Sequence, residues 1–229
     1  MKSSLNSDGY SIRRAVVGED QLALFCEEAE RVASVAGSSC VRHLRRRSEL
    51  FDELAHSESV MSLLPPDMIA VRSILFDKNE KENWSVAWHQ DLTIAVASRV
   101  EVVGYSPWSM KDNLPHVQPP SELLDNMVTI RLHLDETPSE NGALRVIPKS
   151  HLLGKIPTNE VAKHLQNQEV ICECLAGDVL LMKPLILHSS RRSEFPLQRR
   201  VVHIEYARAG DLPTSLQWAE QVTVKSGED

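Results

Sequence analysis

Apolar positions along the chain change their period once, near residue 68. Before it the pattern is helical. Leu22, Leu24, Phe25, Ala29 and Val32 form a rough apolar stripe, and Glu19 and Asp20 favour the first turn of the helix it predicts. A short strand from Tyr10 to Val17 precedes that helix, fed by a turn at Asp8-Gly9. A second helical patch runs from Leu50 to Leu64 and stops at Pro65-Pro66. After residue 68 the texture is that of strands. Met68 to Phe76 is apolar and β-branched, Trp84 to Asp91 follows, and Val128 to Asp135 alternates cleanly. Asn141-Gly142 signals a turn before the short strand Ala143 to Ile147. Glu169 to Cys174, Asp178 to Met182, Leu185 to Ser190 and Arg200 to Ala207 continue the series, with a turn at Ala176-Gly177-Asp178. The segment from Val100 to Pro120, rich in proline, predicts a long loop with a strand fragment, placed to act as a lid. Ser121 to Asn126 predicts one helical turn, and Thr158 to Asn167 a small excursion.

Helices first and strands afterwards predict a mainly β fold with flanking α-helices. The expected architecture is a double-stranded β-helix, a cupin-like jelly roll. A chain of 229 residues suits a single domain, with a helical layer over 1–67 and a jelly-roll core over 68–207.

Charge narrows the function. A formal net charge of −7 argues against a general nucleic-acid partner. The local basic run from Arg42 to Arg47 reads as a mostly solvated turn before a helix. No apolar run is long enough to span a bilayer and the N-terminus lacks a secretory signal, so a cytoplasmic protein is expected. Cys26, Cys40, Cys172 and Cys174 lack zinc-site spacing and read as buried hydrophobes.

The chemistry centres on Trp88-His89-Gln90-Asp91. Side chains two apart on a strand share a face, so His89 and Asp91 converge. A metal ion is the usual reason for such convergence. His188, ending the apolar run Leu185-Ile186-Leu187, is the best third ligand for a two-histidine, one-carboxylate set. The plain alternative is a hydrogen-bonded pair with a satisfied core histidine. Arg199, a few residues further on, could grip a carboxylate, and the adjacent Arg200 would face the opposite way.

Three segments carry a resemblance. They are Trp88 to Asp91; Leu134 to His151, with Asn-Gly-Ala-Leu and Ile-Pro-Lys-Ser-His; and Gly177 to Leu181 continuing to His188-Ser189-Ser190 and Arg199. From about Val71 to Tyr206 the chain resembles the phytanoyl-CoA dioxygenase family of non-haem Fe(II)/2-oxoglutarate oxygenases. The resemblance implies that His89, Asp91 and His188 bind Fe(II), and that Arg199 and Ser190 hold 2-oxoglutarate, with Arg72 a further co-substrate contact. It also implies O₂ as oxidant and decarboxylation to succinate and CO₂. With Asp91 in place, hydroxylation is expected, not halogenation.

The family name does not fix the substrate. A small molecule is expected, and inward arginines at Arg72 or Arg131 would suit a carboxylated one. Arg131, His133 and Asp135 read more simply as an outward polar face. On the proline-rich segment, Tyr105, Trp108, His116 and Gln118 are candidate substrate contacts, with loop packing an equal alternative for each. Competing functions are a jelly-roll metal enzyme that does not use 2-oxoglutarate and a non-catalytic ligand-binding module.

Overall fold

Two antiparallel sheets meet face to face, and helices cover the outside of the larger one. The computed structural model describes residues 4–166, 168–194 and 198–220. The N-terminal part holds α1 (Leu5–Asp8), β1 (Tyr10–Arg13), α2 (Glu19–Ala36), β2 (Cys40–Arg42), α3 (Leu44–Arg47), α4 (Glu49–His56) and α5 (Glu58–Met61). The strand-rich part follows with β3 (Met68–Lys78), β4 (Val86–His89), β5 (Ile94–Ala95), β6 (Trp108–Lys111), β7 (Leu114–Val117), α6 (Ser121–Asn126), β8 (Val128–His133) and β9 (Leu144–Val146). It ends with α7 (Val161–His164), β10 (Val170–Cys172), β11 (Val179–Met182), β12 (His188–Ser190) and β13 (Arg199–Arg208). The large sheet runs β1-β11-β8-β13-β3-β2, the small one β10-β9-β12-β4, and a third, β5-β7-β6, stands apart. This is the expected jelly roll.

Alternation explains how the layers stack. On β8 and β13, Val128, Ile130, Leu132, Val202, Ile204 and Tyr206 pack against Phe25, Ala29 and Val32 of α2 and Phe51 and Leu54 of α4. The opposite faces carry Arg131, His133, Arg199 and His203, all buried. The polar face therefore points into the sandwich, and the apolar face lies under the helices. This corrects the outward reading of Arg131 and His133: the helices take the apolar side, which leaves the polar side facing the small sheet. Elsewhere the interior is apolar, with Leu144, Val146, Cys172, Leu180, Met182 and Ile186 packed together.

Several expected elements change shape. The first strand stops at Arg13, because Ala15 adopts a left-handed backbone and Asp178 takes its N–H. The second helical patch breaks at Ser57 into α4 and α5. Ser48 caps α4 by accepting from the Phe51 N–H. Leu24, assigned to the apolar stripe, is 54% exposed. The basic run is anchored more than expected: Arg45 is buried and donates to Asp52 and to the Ala70 carbonyl, and Arg42 pairs with Asp112. The proline-rich segment is loop up to residue 107, as expected, and its strand part is a β-hairpin: β6 and β7 pair through Asp112-Asn113, both with positive φ as a primed turn requires. Beyond the expected core, Trp218 bridges Val96, and the buried Glu220 carboxylate accepts from Ser73 Oγ at 2.6 Å.

Candidate metal centre

His89 and His188 are cross-strand partners. β4 and β12 pair antiparallel with these two residues in direct register, and their ring centroids lie 4.2 Å apart. Asp91 follows β4 by two residues, its N–H held by the Pro184 carbonyl at 2.9 Å. Its carboxylate reaches between the rings: Oδ1 lies 3.7 Å from His89 Nε2 and Oδ2 3.6 Å from His188 Nε2. The three ligand atoms all lie within 4.8 Å of one another. The convergence expected from the sequence is thus present in the fold.

Tautomers follow from the backbone. His89 Nδ1 sits 2.8 Å from the Ala87 carbonyl, and His188 Nδ1 2.9 Å from the Ile186 carbonyl. A carbonyl only accepts, so each Nδ1 carries the proton and each Nε2 offers its lone pair to the centre. Burial holds the His188 pKa down at about 4, which keeps that ring neutral. Burial favours the neutral acid at Asp91, yet His188, His89, His203 and Arg72 outweigh it and hold the carboxyl near 2. Two neutral imidazoles and one carboxylate are the donor set of a ferrous site with open coordination positions.

Beside the triad lies an open-mouthed cavity. Arg199, Ser190, Lys78, Arg131 and His203 line it together with the triad. Arg199 is 4% exposed and donates through Nη1 to the Gly142 carbonyl. Gly142 has φ +68°, and a Cβ there would meet the Arg191 carbonyl oxygen at 2.5 Å and Arg199 Nη1 at 3.4 Å. The Asn-Gly turn is therefore the seat of Arg199. Arg200 faces away, forked onto Asp135 at 2.7 and 2.9 Å and paired with Glu30.

Some polar atoms here have no partner among the described residues. Arg199 Nε, Arg131 Nε and Ser189 Oγ are buried without a hydrogen bond among the described residues. Such orphans are costly unless a ligand satisfies them, and an anionic co-substrate with several acceptor oxygens would do so.

The other candidates are placed as follows. Arg72 pairs with Glu205 at 2.8 Å and does not line the cavity; this neutralises the spare cation expected there. Arg131 does line it, with Nη1 3.0 Å from His203 Nδ1 and its guanidinium over Phe76. His203 then donates from Nε2 to Glu205 at 3.3 Å, which links Arg131, His203, Glu205 and Arg72 in one buried chain. His116 is 1% exposed on β7, and its Nε2 has no partner among the described residues. Trp108 packs beside the cluster around Val71, Ile94 and Tyr105, and Gln118 is tied by its backbone to Ser106 and Pro107. Tyr105, Trp108, His116 and Gln118 lie off the cavity wall that holds the triad.

Of the two readings of Arg131, inward arginine and outer polar face, the inward one holds. Two further contributors were not singled out from the sequence. Lys78 ends an apolar strand, where a lone lysine was the only signal. Gln90, between two ligands, is 7% exposed and clips the ligand segment in place. Its amide donates to the Leu185 carbonyl at 2.7 Å and the Gly154 carbonyl at 2.8 Å, and accepts from the Ile156 N–H at 2.7 Å.

Comparison with known proteins agrees with this geometry. The family model for phytanoyl-CoA dioxygenase (PhyH) matches residues 5–201. No curated protein matches the chain. Among solved structures, it is similar to the epimerase SnoN in complex with Fe3+, alpha ketoglutarate and nogalamycin RO. That match has a TM-score of 0.71 and 19% identity, covering 98% of this chain and 89% of SnoN. It is also similar to the alpha ketoglutarate dependent carbocyclase SnoK from nogalamycin biosynthesis, with TM-score 0.67, 18% identity, and 90% and 81% of the two chains covered. A third is HygX from Streptomyces hygroscopicus with nickel and 2-oxoglutarate bound, with TM-score 0.65, 15% identity, and 90% and 85% covered. These likenesses share the jelly-roll fold. The match of the family model over most of the chain shows that the protein belongs to the phytanoyl-CoA dioxygenase family of iron- and 2-oxoglutarate-dependent oxygenases.

Proposed function

We propose that the protein hydroxylates a small molecule, using Fe(II), 2-oxoglutarate and O₂ and releasing succinate and CO₂. The observation that carries this reading is one cavity holding both the triad and the cations Arg199 and Arg131. His89, Asp91 and His188 would hold the iron, and Arg199 and Ser190 the distal carboxylate of 2-oxoglutarate. When bound, the iron and its co-substrates supply the oxidising power to break a substrate C–H bond. The chain's own residues bind, orient and exclude. The two imidazoles are fixed by backbone carbonyls, so they need no reorientation on metal binding. Phe76, Val86 and Leu144 supply apolar wall on the co-substrate side and limit water there. Asp91 fills the third protein position, which supports oxygenation over halogenation.

Small-molecule substrates are supported by the neighbours: SnoN was crystallised with nogalamycin RO and HygX with hygromycin B. Carboxylated compounds belong in the same screen, with Arg131, which lines the cavity, as the first substrate contact to test. A second outcome has a specific motive, since an epimerase and a carbocyclase are among the neighbours. Product mass under ¹⁸O₂ separates the outcomes: one ¹⁸O in the product supports hydroxylation, and succinate formation with an unlabelled product supports rearrangement.

The first test is anaerobic. Fe(II) and then 2-oxoglutarate are added to metal-free protein while the visible spectrum is followed. A charge-transfer band that requires both additions, weakens in Arg199→Ala and vanishes in His188→Ala is expected. Absence of a band in the wild type at saturation would overturn the 2-oxoglutarate reading and leave the oxo-acid-independent metal enzyme or the binding module.

A further inference from the structure

The three metal ligands are not equally covered. The His188 side chain is 5% exposed, whereas those of His89 and Asp91 are 39% and 26% exposed. The metal centre is thus most open along the segment that leaves β4. Two residues past Asp91, at Thr93, that segment runs into β5, which pairs with β7, which pairs with β6. Register sets Ala95, His116 and Ser109 side by side across the three strands, and Lys111 opposite Leu114. Alternation then puts Ser109, Lys111, Leu114 and His116 on one face of the hairpin. Lys111 reaches from that face back to the ligand segment, where its Nζ donates to Thr93 Oγ1 at 3.3 Å.

The charge of this half-buried lysine is not balanced. The charged groups that face it are Arg72, Arg42, Asp91 and Glu205. Each is committed elsewhere: Arg72 pairs with Glu205, Arg42 with Asp112, and Asp91 belongs to the triad. Among the described residues the Lys111 ammonium forms no ion pair, and its one hydrogen bond goes to a neutral hydroxyl. Burial, with Arg72 and Arg42, pulls its pKa down, and Asp91 and Glu205 offset this only in part. His116 on the same face adds no charge, because burial holds its pKa at about 4. Lys111, Thr93 and His116 all lie off the cavity that Arg199 and Arg131 line, so this cation is not placed for the co-substrate. An ammonium has three N–H donors, which leaves two for a ligand. One free positive charge and two donors match a single carboxylate group.

We propose that Lys111, on the β6–β7 hairpin beside the open side of the metal centre, anchors the carboxylate of the substrate to be oxidised. The proposal rests on the oxygenase reading above and deepens it. It names carboxylic acids as the substrate class and gives the substrate an anion site separate from that of the co-substrate.

The test is ligand-observed NMR on protein loaded with manganese and saturated with 2-oxoglutarate, with zinc-loaded protein as the diamagnetic reference. Hexanoate, phenylacetate and cyclohexanecarboxylate are each compared with the primary amide of the same acid. Manganese should broaden the protons of the acids well beyond those of the amides. Lys111→Met should weaken the acids by about tenfold and leave the amides unchanged. Lys111→Arg should keep most of the preference. Lys111→Gln serves as a second neutral variant if the Met protein does not fold, and circular dichroism verifies folding of each. Affinity of the nickel-loaded protein for 2-oxoglutarate, by calorimetry, should stay within about twofold in all three variants. An acid preference that survives in the neutral variants puts the carboxylate on the metal or another cation and overturns the role of Lys111. So does a wild type that prefers none of the acids, or an equal loss of acids and 2-oxoglutarate in the variants; all three leave the co-substrate reading intact. A wild type that does not bind 2-oxoglutarate overturns the reading on which the proposal stands.

Discussion

Gln90 stands between two metal ligands, and its three hydrogen bonds run away from the metal centre to Gly154, Ile156 and Leu185. Every polar atom of its amide is used on backbone, so the residue fixes the path of the segment that carries His89 and Asp91. Gln90→Leu keeps the volume and strands two carbonyls and one N–H. Loss of support of this kind typically costs about tenfold to a hundredfold in metal affinity. We expect Fe(II) affinity to fall by that order, measured by competition with a chromophoric chelator, with the fold retained by circular dichroism. Unchanged affinity with only a lowered melting temperature would assign Gln90 to stability alone. At the same scale, Lys78 predicts a pH dependence. Its pKa in the ligand-free protein is about 7, and a bound dianion raises it. Below that pH the ammonium is charged with or without ligand, and affinity is full. Above it, binding must take up a proton, so affinity falls until the raised pKa is passed. The groups facing Lys78 do not share this transition: burial brings Arg199 down only to about 10, and Arg131 stays a cation. The 2-oxoglutarate dissociation constant of the nickel protein should therefore rise from pH 7 to 8.5 in wild type by up to about tenfold per unit. It should stay flat in Lys78→Arg. A flat wild-type profile would detach Lys78 from the co-substrate.

Short turns set the elements that carry the site, and Gly142 is the clearest case. Its φ of +68° and the nearby Arg191 carbonyl leave no room for a side chain. Gly142→Ala combines left-handed strain with a backbone clash and should cost about 2 kcal/mol. Because Arg199 donates to the Gly142 carbonyl, the same change should weaken 2-oxoglutarate binding more than metal binding. Parallel titrations with metal alone and with metal plus co-substrate would show the split, and an equal loss in both would mean a general loosening. This turn was legible in the sequence as Asn-Gly before a short strand, as were α2, α4, β3, β8 and β13, because each shows its own period. The triad was legible for the same reason: spacing of two on a strand, plus an isolated histidine ending an apolar run. Other elements hide their signals. Strand alternation shows that β8 has a polar and an apolar face, but not which one the helices will cover, so Arg131 and His133 read more simply as outward, with an inward Arg131 as the alternative. The β6–β7 hairpin is short, carries Pro107 and Pro115, and rests on Asp112-Asn113, a turn pair that prolines on either side obscure. The segment around Trp218 and Glu220 has no period of its own. It is held by a bridge to Val96 and by the Glu220 bonds to Ser73, contacts that only the tertiary fold creates.

For the molecule as a whole, the consequence is a sandwich whose outer face carries much of the stability and whose inner face carries the cost. The apolar cluster under α2 and α4 supplies burial, while the interior holds Lys78, Arg131 and Arg199 without carboxylate partners among the described residues. Uncompensated buried charge lowers the stability of the ligand-free protein, and a ligand that binds only the folded state returns it by mass action. At a concentration of co-substrate a hundred times its dissociation constant, that gain is about 2.7 kcal/mol. In a chain of this size it corresponds to a rise in melting temperature of roughly 5–10 °C. Nickel plus 2-oxoglutarate should therefore shift the melt well beyond nickel alone, and 2-oxopentanoate, which has no distal carboxylate, should shift it less. Lys78→Met should move the two baselines in opposite senses. Removing a buried cation raises the melting temperature of the ligand-free protein, and the loss of one cation beside Arg199 shrinks the shift on adding a dianion such as 2-oxoglutarate. The sign has its own check. The Lys78 pKa is about 7 in the fold and near 10.5 when exposed, so between these values the unfolded chain holds the proton that the folded one has released. Stability from this group then rises with pH across that window. Ligand-free wild type should gain on Lys78→Met as pH is raised from 7 toward 9 in differential scanning fluorimetry. A constant gap between the two melts would mean that Lys78 is already compensated in the fold.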